Sequence, residues 1–269
     1  MPTKQKRNAE LIANLKPDFT TRGEFYHAPA RLNDALYWPT RFAGGFRKFT
    51  WQATNSSIET SSSDQNLTNV NTAADDFGAT DHGAPWIDLD GATEYVWHAD
   101  AFWQEVFGYS FFIWTWVQPS AVVATYNIVS KYEAATDERS WFLAHTGAGY
   151  RWTCNATGVV GGNVNLVSTY GASVAGTWYF VAAYFQPSTL MRIFVGNPTD
   201  TSLTIDSLGV GVPASCVNLT APFVIGADGD FGNFWPGKIS NIGAWGNMPA
   251  TYIDFHALTL FHNTRWFYQ

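Results

Sequence analysis

The sequence predicts an all-β sandwich preceded by an extended, basic N-terminal arm. Three observations predict it. Short apolar runs recur at roughly 8–12-residue spacing, separated by Gly, Pro, Asn and Asp, the punctuation expected between the strands of a sandwich. Aromatic residues make up 17% of the chain, with 13 Trp, 12 Tyr and 20 Phe, and such residues favour strands. No long helices alternate with the strands, which argues against a parallel α/β sheet. With 269 residues, 46% apolar and 14% charged, the chain can bury one large core.

Residues 1–34 read as the arm, and 35–269 as the sandwich. Within the arm, NAELIANLK (8–16) is expected to form one short helix, capped by Asn8 and stopped by Pro17. ALYWPTRF (35–42) is expected as a first strand with Pro39 marking an edge or bend, and FRKFTWQA (46–53) as a second. Residues 54–83 are rich in Ser, Thr, Asn and Asp and read as a long polar loop or meander. A loop of that length in a compact domain is usually functional or docked on a neighbour.

The strands then come regularly: PWIDLDG, TEYVWH, a helical turn at ADAFWQEVFG, SFFIWTWVQP, TYNIVSKYE, SWFLAHTG, YRWTCNATG and NVNLVSTY. A hairpin at 176–198 follows, then SLTIDSLGVGV, APFVIGAD and GKISNIGAWG. The tail TYIDFHALTLFHNTRWFY fits a last helix followed by a strand. The hairpin, GTWYFVAAYFQPSTLMRIFVGNP, is unusual. Trp178, Phe180, Ala182 and Tyr184 alternate with Tyr179, Val181, Ala183 and Phe185, so both faces of one strand are apolar. A sheet with one face in water alternates apolar and polar residues, so this hairpin needs a cover on its second face.

Four blocks in order carry a resemblance over about residues 84–269. SFFIWTWVQP resembles the "F-T-I-x-x-W-V-x-P" strand of concanavalin A-like, laminin-G-like jelly rolls, and the 176–198 hairpin resembles their "G-x-W-Y-x-V-A-x-x-Y…L-x-x-Y-V-N-G" segment. FVIGADGDFGNFWPGKISNIGAWGNMPA is similar to their "I-G…F-x-G-x-I-D-x-V-x-I-W-N-x-x-L" ending, and PWIDLDGATEYVWH to their early "F-D-G-x-x-D-Y-V" strand. VGNP at 195–198 departs from the family's Val-Asn-Gly turn. The resemblance implies two stacked antiparallel sheets, the concave one offering a groove that relatives use for glycans. Apolar residues on both faces imply that this groove is covered by a helix of the chain, by the basic arm or by another subunit.

The residues speak against catalysis. A glucanase of this fold needs two carboxylates flanking the scissile bond, in a Glu-x-Asp-x-(x)-Glu strand pattern. No Glu of the chain has Asp two residues on. There is no HExxH or HxH, no G-x-S-x-G and no phosphate-cradling glycine loop. ADGDFGNFW (227–235) is the candidate ligand segment: Asp228 and Asp230 offer hard oxygen ligands suited to calcium, and Asn233 and Trp235 suit a glycan. An acidic hairpin turn and a Trp that plugs the sandwich edge account for the same residues. No other cofactor is expected.

Charge is uneven. Formal net charge is −7, yet residues 1–50 carry +5, including Lys4, Lys6, Arg7, Lys16 and Arg22, and the remainder carries −12. A basic arm on an acidic body is an interaction signature, but the excess is too small and dispersed for nucleic acid. No apolar run is long enough to span a bilayer, and no export signal is recognisable, so the sequons at Asn55, Asn66, Asn155 and Asn218 read as chance matches. Cys154 and Cys216 are expected as two buried free thiols, pairing only in an oxidising compartment. The leading expectation is a non-catalytic structural protein of a large assembly, a bacteriophage virion component such as a capsid decoration or tail part. The arm would anchor it to other protein subunits, such as those of a capsid shell. The alternative is a carbohydrate-binding, lectin-like module located outside the cell.

Overall fold

The computed structural model describes residues 46–52, 56–59, 67–100, 109–217, 219–246 and 249–269. The expected arm helix, the strand at 35–42, most of the turn at 99–108, the arm residues Lys4, Lys6, Arg7, Lys16 and Arg22, and the sequons at Asn55, Asn66 and Asn218 lie outside them.

Among the described residues sixteen strands form two antiparallel sheets. The first runs β14 (Thr204–Leu208), β13 (Leu190–Gly196), β12 (Tyr179–Gln186), β7 (Phe111–Pro119), β16 (Pro236–Gly246), β1 (Phe46–Gln52) and β2 (Ser56–Glu59). β16 is long enough to serve two neighbours on one side: Pro236–Ser240 pair with β5 (Pro85–Asp90), Ile242–Trp245 with β1. A bulge between Ser240 and Ile242, with Asn241 at φ 36°, divides the two halves. β4 (Phe77–Ala79) extends the sheet beyond β5. The second sheet runs β11 (Asn163–Val167), β10 (Gly149–Asn155), β9 (Glu138–Thr146), β8 (Tyr126–Glu133), β15 (Phe223–Ile225), β6 (Tyr95–His98) and β3 (Thr68–Val70). The described part of the polar stretch 54–83 therefore contains three short strands, β2 and β4 in the first sheet and β3 in the second, none paired with another of the three.

Strand alternation divides the apolar residues into two cores. Ile113 and Val117 of β7, Val181 and Ala183 of β12, and Ile193 and Val195 of β13 face the second sheet, where Leu143, Trp152 and Ile225 meet them. The residues between them face away. Phe112, Trp114 and Trp116, Phe180, Ala182 and Tyr184, and Phe194 line the outer face of the first sheet. They are not exposed, because helix α1 (Ala250–Thr264) lies on them.

α1 forms because its apolar residues fall at helical spacing. Ile253, His256, Ala257, Leu260, Phe261 and Thr264 make one buried stripe. Pro249 precedes the helix with φ −69°, already near the helical value. After it the chain does not become a strand, as the aromatic run RWFY suggests, but tightens into a 3-10 turn over Arg265–Tyr268. That turn brings Tyr268 flat on Trp116, ring centroids 4.3 Å apart, and Phe267 into the same cluster. A strand would point alternate rings of this tail into water. The cover also satisfies buried donors: Trp116 Nε1–H donates to Thr264 Oγ1 at 2.9 Å, and the Tyr268 hydroxyl meets Ser240 Oγ at 2.7 Å. Arg192 of β13 pairs with Asp254 at the rim of the helix.

Cys154 and Cys216 are not free thiols; they form a disulfide, with Cα atoms 5.5 Å apart. The connection from β14 to β15 crosses the end of β10, where Val217 N–H donates to Asn155 O at 3.1 Å, and this brings Cys216 onto Cys154. In the remaining sequon, Asn155 itself is fully buried. Its side chain closes the β10–β11 turn by accepting from Thr157 and Gly158 N–H and donating to Val159 O, so it is no glycan acceptor.

The cover has two measurable consequences. Phe261→Ala leaves a void between Trp116 and Phe180 and is expected to cost about 3–5 kcal/mol in urea unfolding. His256, buried against Trp245, has its pKa lowered to about 4 by desolvation. A histidine depressed in the fold contributes stability that is complete above its unfolded value and is lost as pH falls toward the folded value. Thermal melts should therefore show a loss between pH 6.5 and 4, up to about 3 kcal/mol, that shrinks in His256→Gln.

Candidate functional site

The cover does not reach the whole outer face. Across the ladders, Asp88 of β5 stands opposite Lys238 of β16, and Lys238 opposite Gln118 of β7. This row lies one step beyond the Trp86–Ser240–Trp116 row that Tyr268 closes. Above it a cleft of about 580 Å³ remains open. Its walls are Trp86, Trp178 and Tyr268, the turn Asn197–Thr199, the segment Ala79–Asp81, and Gln118, Thr177, Lys238 and Gln269. Three aromatic rings thus stand beside amides, hydroxyls and one ammonium.

Each wall is held from behind. Trp86 lies across β4 at Gly78, where a Cβ would collide with the indole, so only glycine lets the ring lie there. Lys238 Nζ sits 4.2 Å from the centroid of the same indole. Trp178 is tilted against Tyr268 at 4.9 Å, and burial pushes the Tyr268 hydroxyl up to about 12. Asn197 Nδ2 donates to Tyr170 Oη at 2.7 Å, and Tyr170 donates to Asp200 Oδ2 at 2.6 Å, which fixes the turn. Gln118 Nε2 donates to Gly176 O at 2.8 Å, leaving its carbonyl oxygen as an acceptor. Burial raises the pKa of Asp88, while the nearby Lys238 lowers it and Asp76 raises it.

The sequence-predicted site lies elsewhere. Trp235 is wholly buried in the core between the sheets, so it offers no face to a sugar; it plugs the sandwich beside His145. Asp228 and Asp230 do not converge on a shared position. Asp228 accepts from Gly232 N–H at 2.8 Å and from Asn233 Nδ2 at 2.6 Å, closing its own turn. Asp230 accepts from Ala134 and Ala135 N–H at 2.7 and 3.0 Å, capping the β8–β9 turn. Asn233 is spent on Asp228 and sits at φ 49°. Among the described residues no group of three or more His, Cys, Asp and Glu side chains is gathered as metal ligands would be. The loop carries aromatic residues instead: Phe231 stacks on Tyr95 at 4.6 Å and meets Trp97 edge-on.

Sequence reasoning missed Trp86, Lys238 and Gln118. One signal was present: in PWIDLD, Trp86 shares the face of Asp88 and Asp90, not that of Ile87 and Leu89. A tryptophan on the polar face of a strand marks a surface that something flat can use.

Comparison with solved structures places the fold. Over 80% of this chain and 51% of that one, the binding domain of Paraclostridial Mosquitocidal Protein 1 superposes with a TM-score of 0.60 at 10% identity. The botulinum neurotoxin serotype D binding domain matches with a TM-score of 0.57 at 11% identity, over 80% of this chain and 51% of that chain. The receptor binding domain of the C/D mosaic serotype gives 0.57 at 11%, over 78% and 50%. The chain thus spans about half the length of the solved structures it matches, and the likeness is one of fold. No protein-family model and no curated protein matches the sequence.

Gly78 and Trp86 should be coupled. Gly78→Val is expected to cost about 1–3 kcal/mol through overpacking, and much less in a Trp86→Ala background, as a double-mutant cycle in urea will show.

Proposed function

We propose that this chain is a non-catalytic recognition module that holds a saccharide in the cleft beside the C-terminal cover. One observation carries the reading. The cleft sets the half-buried indole of Trp86 and the largely buried rings of Trp178 and Tyr268 beside polar side chains on a sheet face, and sugars need both: apolar C–H faces to stack and hydroxyls to bond. Asp81 is the one carboxylate side chain among its described lining residues, whereas glycoside hydrolysis needs a pair. The resemblance to concanavalin A-like, laminin-G-like sandwiches, whose concave sheet serves glycans, supports the same reading. So do solved neighbours titled as binding or receptor binding domains. The buried disulfide favours an oxidising location, and hence the extracellular alternative.

A structural role in a bacteriophage virion, docked on capsid or tail subunits through the arm, is the second reading. The charge contrast between residues 1–50 and the acidic remainder favours it. The covered groove no longer supports it, because the chain covers its own groove with α1. Calcium is a condition to vary in the test, not an assigned ligand.

The test is a glycan array probed with the purified chain, with and without calcium. The expected result is binding to a subset of glycans that is lost in Trp86→Ala while the circular dichroism spectrum is retained. An empty array under both conditions removes the saccharide reading and leaves the assembly role to be tested.

A further inference from the structure

The open end of the outer sheet face holds a cation with no carboxylate bonded to it among the described residues. Lys238 Nζ lies over the Trp86 indole at 4.2 Å. The ion pairs of the described residues engage Lys131, Arg139 and Arg192 instead. Asp88, its cross-strand neighbour, acts on it only through space. Asp81, the carboxylate on the cleft wall, is exposed to water.

The ammonium takes up one face of the Trp86 indole, so on that face the ring does not stack on a sugar. The indole instead orients the ammonium, and the ring stabilises the charge without neutralising it. An oxygen acceptor with a full negative charge is the group that gains most from meeting such a donor, because charge-assisted hydrogen bonds are about twice as strong as neutral ones. Gln118 stands next to Lys238 on the β7 side, with its carbonyl oxygen left to accept from a hydroxyl. A carboxylate on Lys238 and a neighbouring hydroxyl on Gln118 are features of a sugar acid.

We infer that the ligand of the cleft is an acidic saccharide whose carboxylate docks on Lys238, with Trp86 as the residue that positions the ammonium. The inference rests on the saccharide reading above, and its test separates the two. The probes are matched pairs that differ only at the C6 carbon: glucuronic acid against glucose, and galacturonic acid against galactose. Saturation-transfer NMR titrations use the full chain at neutral pH. The expected result is that each acid binds about tenfold more tightly than its neutral partner, with an advantage that falls as salt rises. In Lys238→Met, which keeps an apolar stem on the indole, each acid should lose its advantage over its neutral partner, together with the salt dependence of that advantage.

Equal binding of acid and neutral sugars to the unaltered chain overturns the inference and leaves the saccharide reading standing. So does an equal loss of both in Lys238→Met, which would give the lysine a purely structural role. Binding of none of the four probes, together with an empty array, overturns both.

Discussion

The structure depends on covering a sheet that is apolar on both sides. β7, β12 and β13 send large side chains alternately into the sandwich core and out of it. A single uncovered face carrying Phe112, Trp114, Trp116, Phe180, Tyr184 and Phe194 would be a strong aggregation site. Each such side chain contributes about 1.5–3 kcal/mol when buried, so the cover is among the larger stabilising terms of the fold. The chain supplies it from residues 250–268. α1 gives the aliphatic stripe, the turn after it gives Phe267 and Tyr268, and buried hydroxyls satisfy Trp116 and Tyr268. The extent of that cover defines the cleft, which is the part of the outer face left open beyond Tyr268.

Much of this is legible in the sequence. The order and spacing of the strands follow from turn residues and period-2 alternation, and the apolar second face of residues 176–186 calls for a cover. The identity of the cover stays open between helix, arm and partner, because hydrophobic pattern says that a face is buried but not by what. Aromatic propensity points to a strand for the final RWFY; stacking on Trp116 overrides it. The disulfide is not legible, because the meeting of Cys154 and Cys216 is long-range, set by how the β14–β15 connection crosses β10.

The candidate site is harder to read, for a physical reason. Acidic and aromatic residues close together in sequence, as in ADGDFGNFW, look like a ligand loop, but here they hold turns and a core plug. The residues that do form a cleft are scattered along the chain and meet only in the folded sandwich, Trp86, Gln118, Trp178, Asn197, Lys238 and Tyr268 among them. Neither Lys238 nor Gln118 is unusual in its local sequence. What makes them informative is that the ladder sets them side by side, one step beyond the row that Tyr268 closes. Asp81 is the one carboxylate side chain among the cleft's described lining residues, and the proposed chemistry is recognition by stacking, hydrogen bonding and charge.

On the proposed function, recognition happens where the cover ends. The most direct measurement follows the indole N–H resonances of the 13 tryptophans by two-dimensional NMR during titration with a bound saccharide. Trp86 and Trp178 are expected to move together, while Trp141, Trp152 and Trp235, sealed between the sheets, stay in place. Movement of Trp97, beside Phe231 on the other sheet, with Trp86 and Trp178 unmoved, would contradict it.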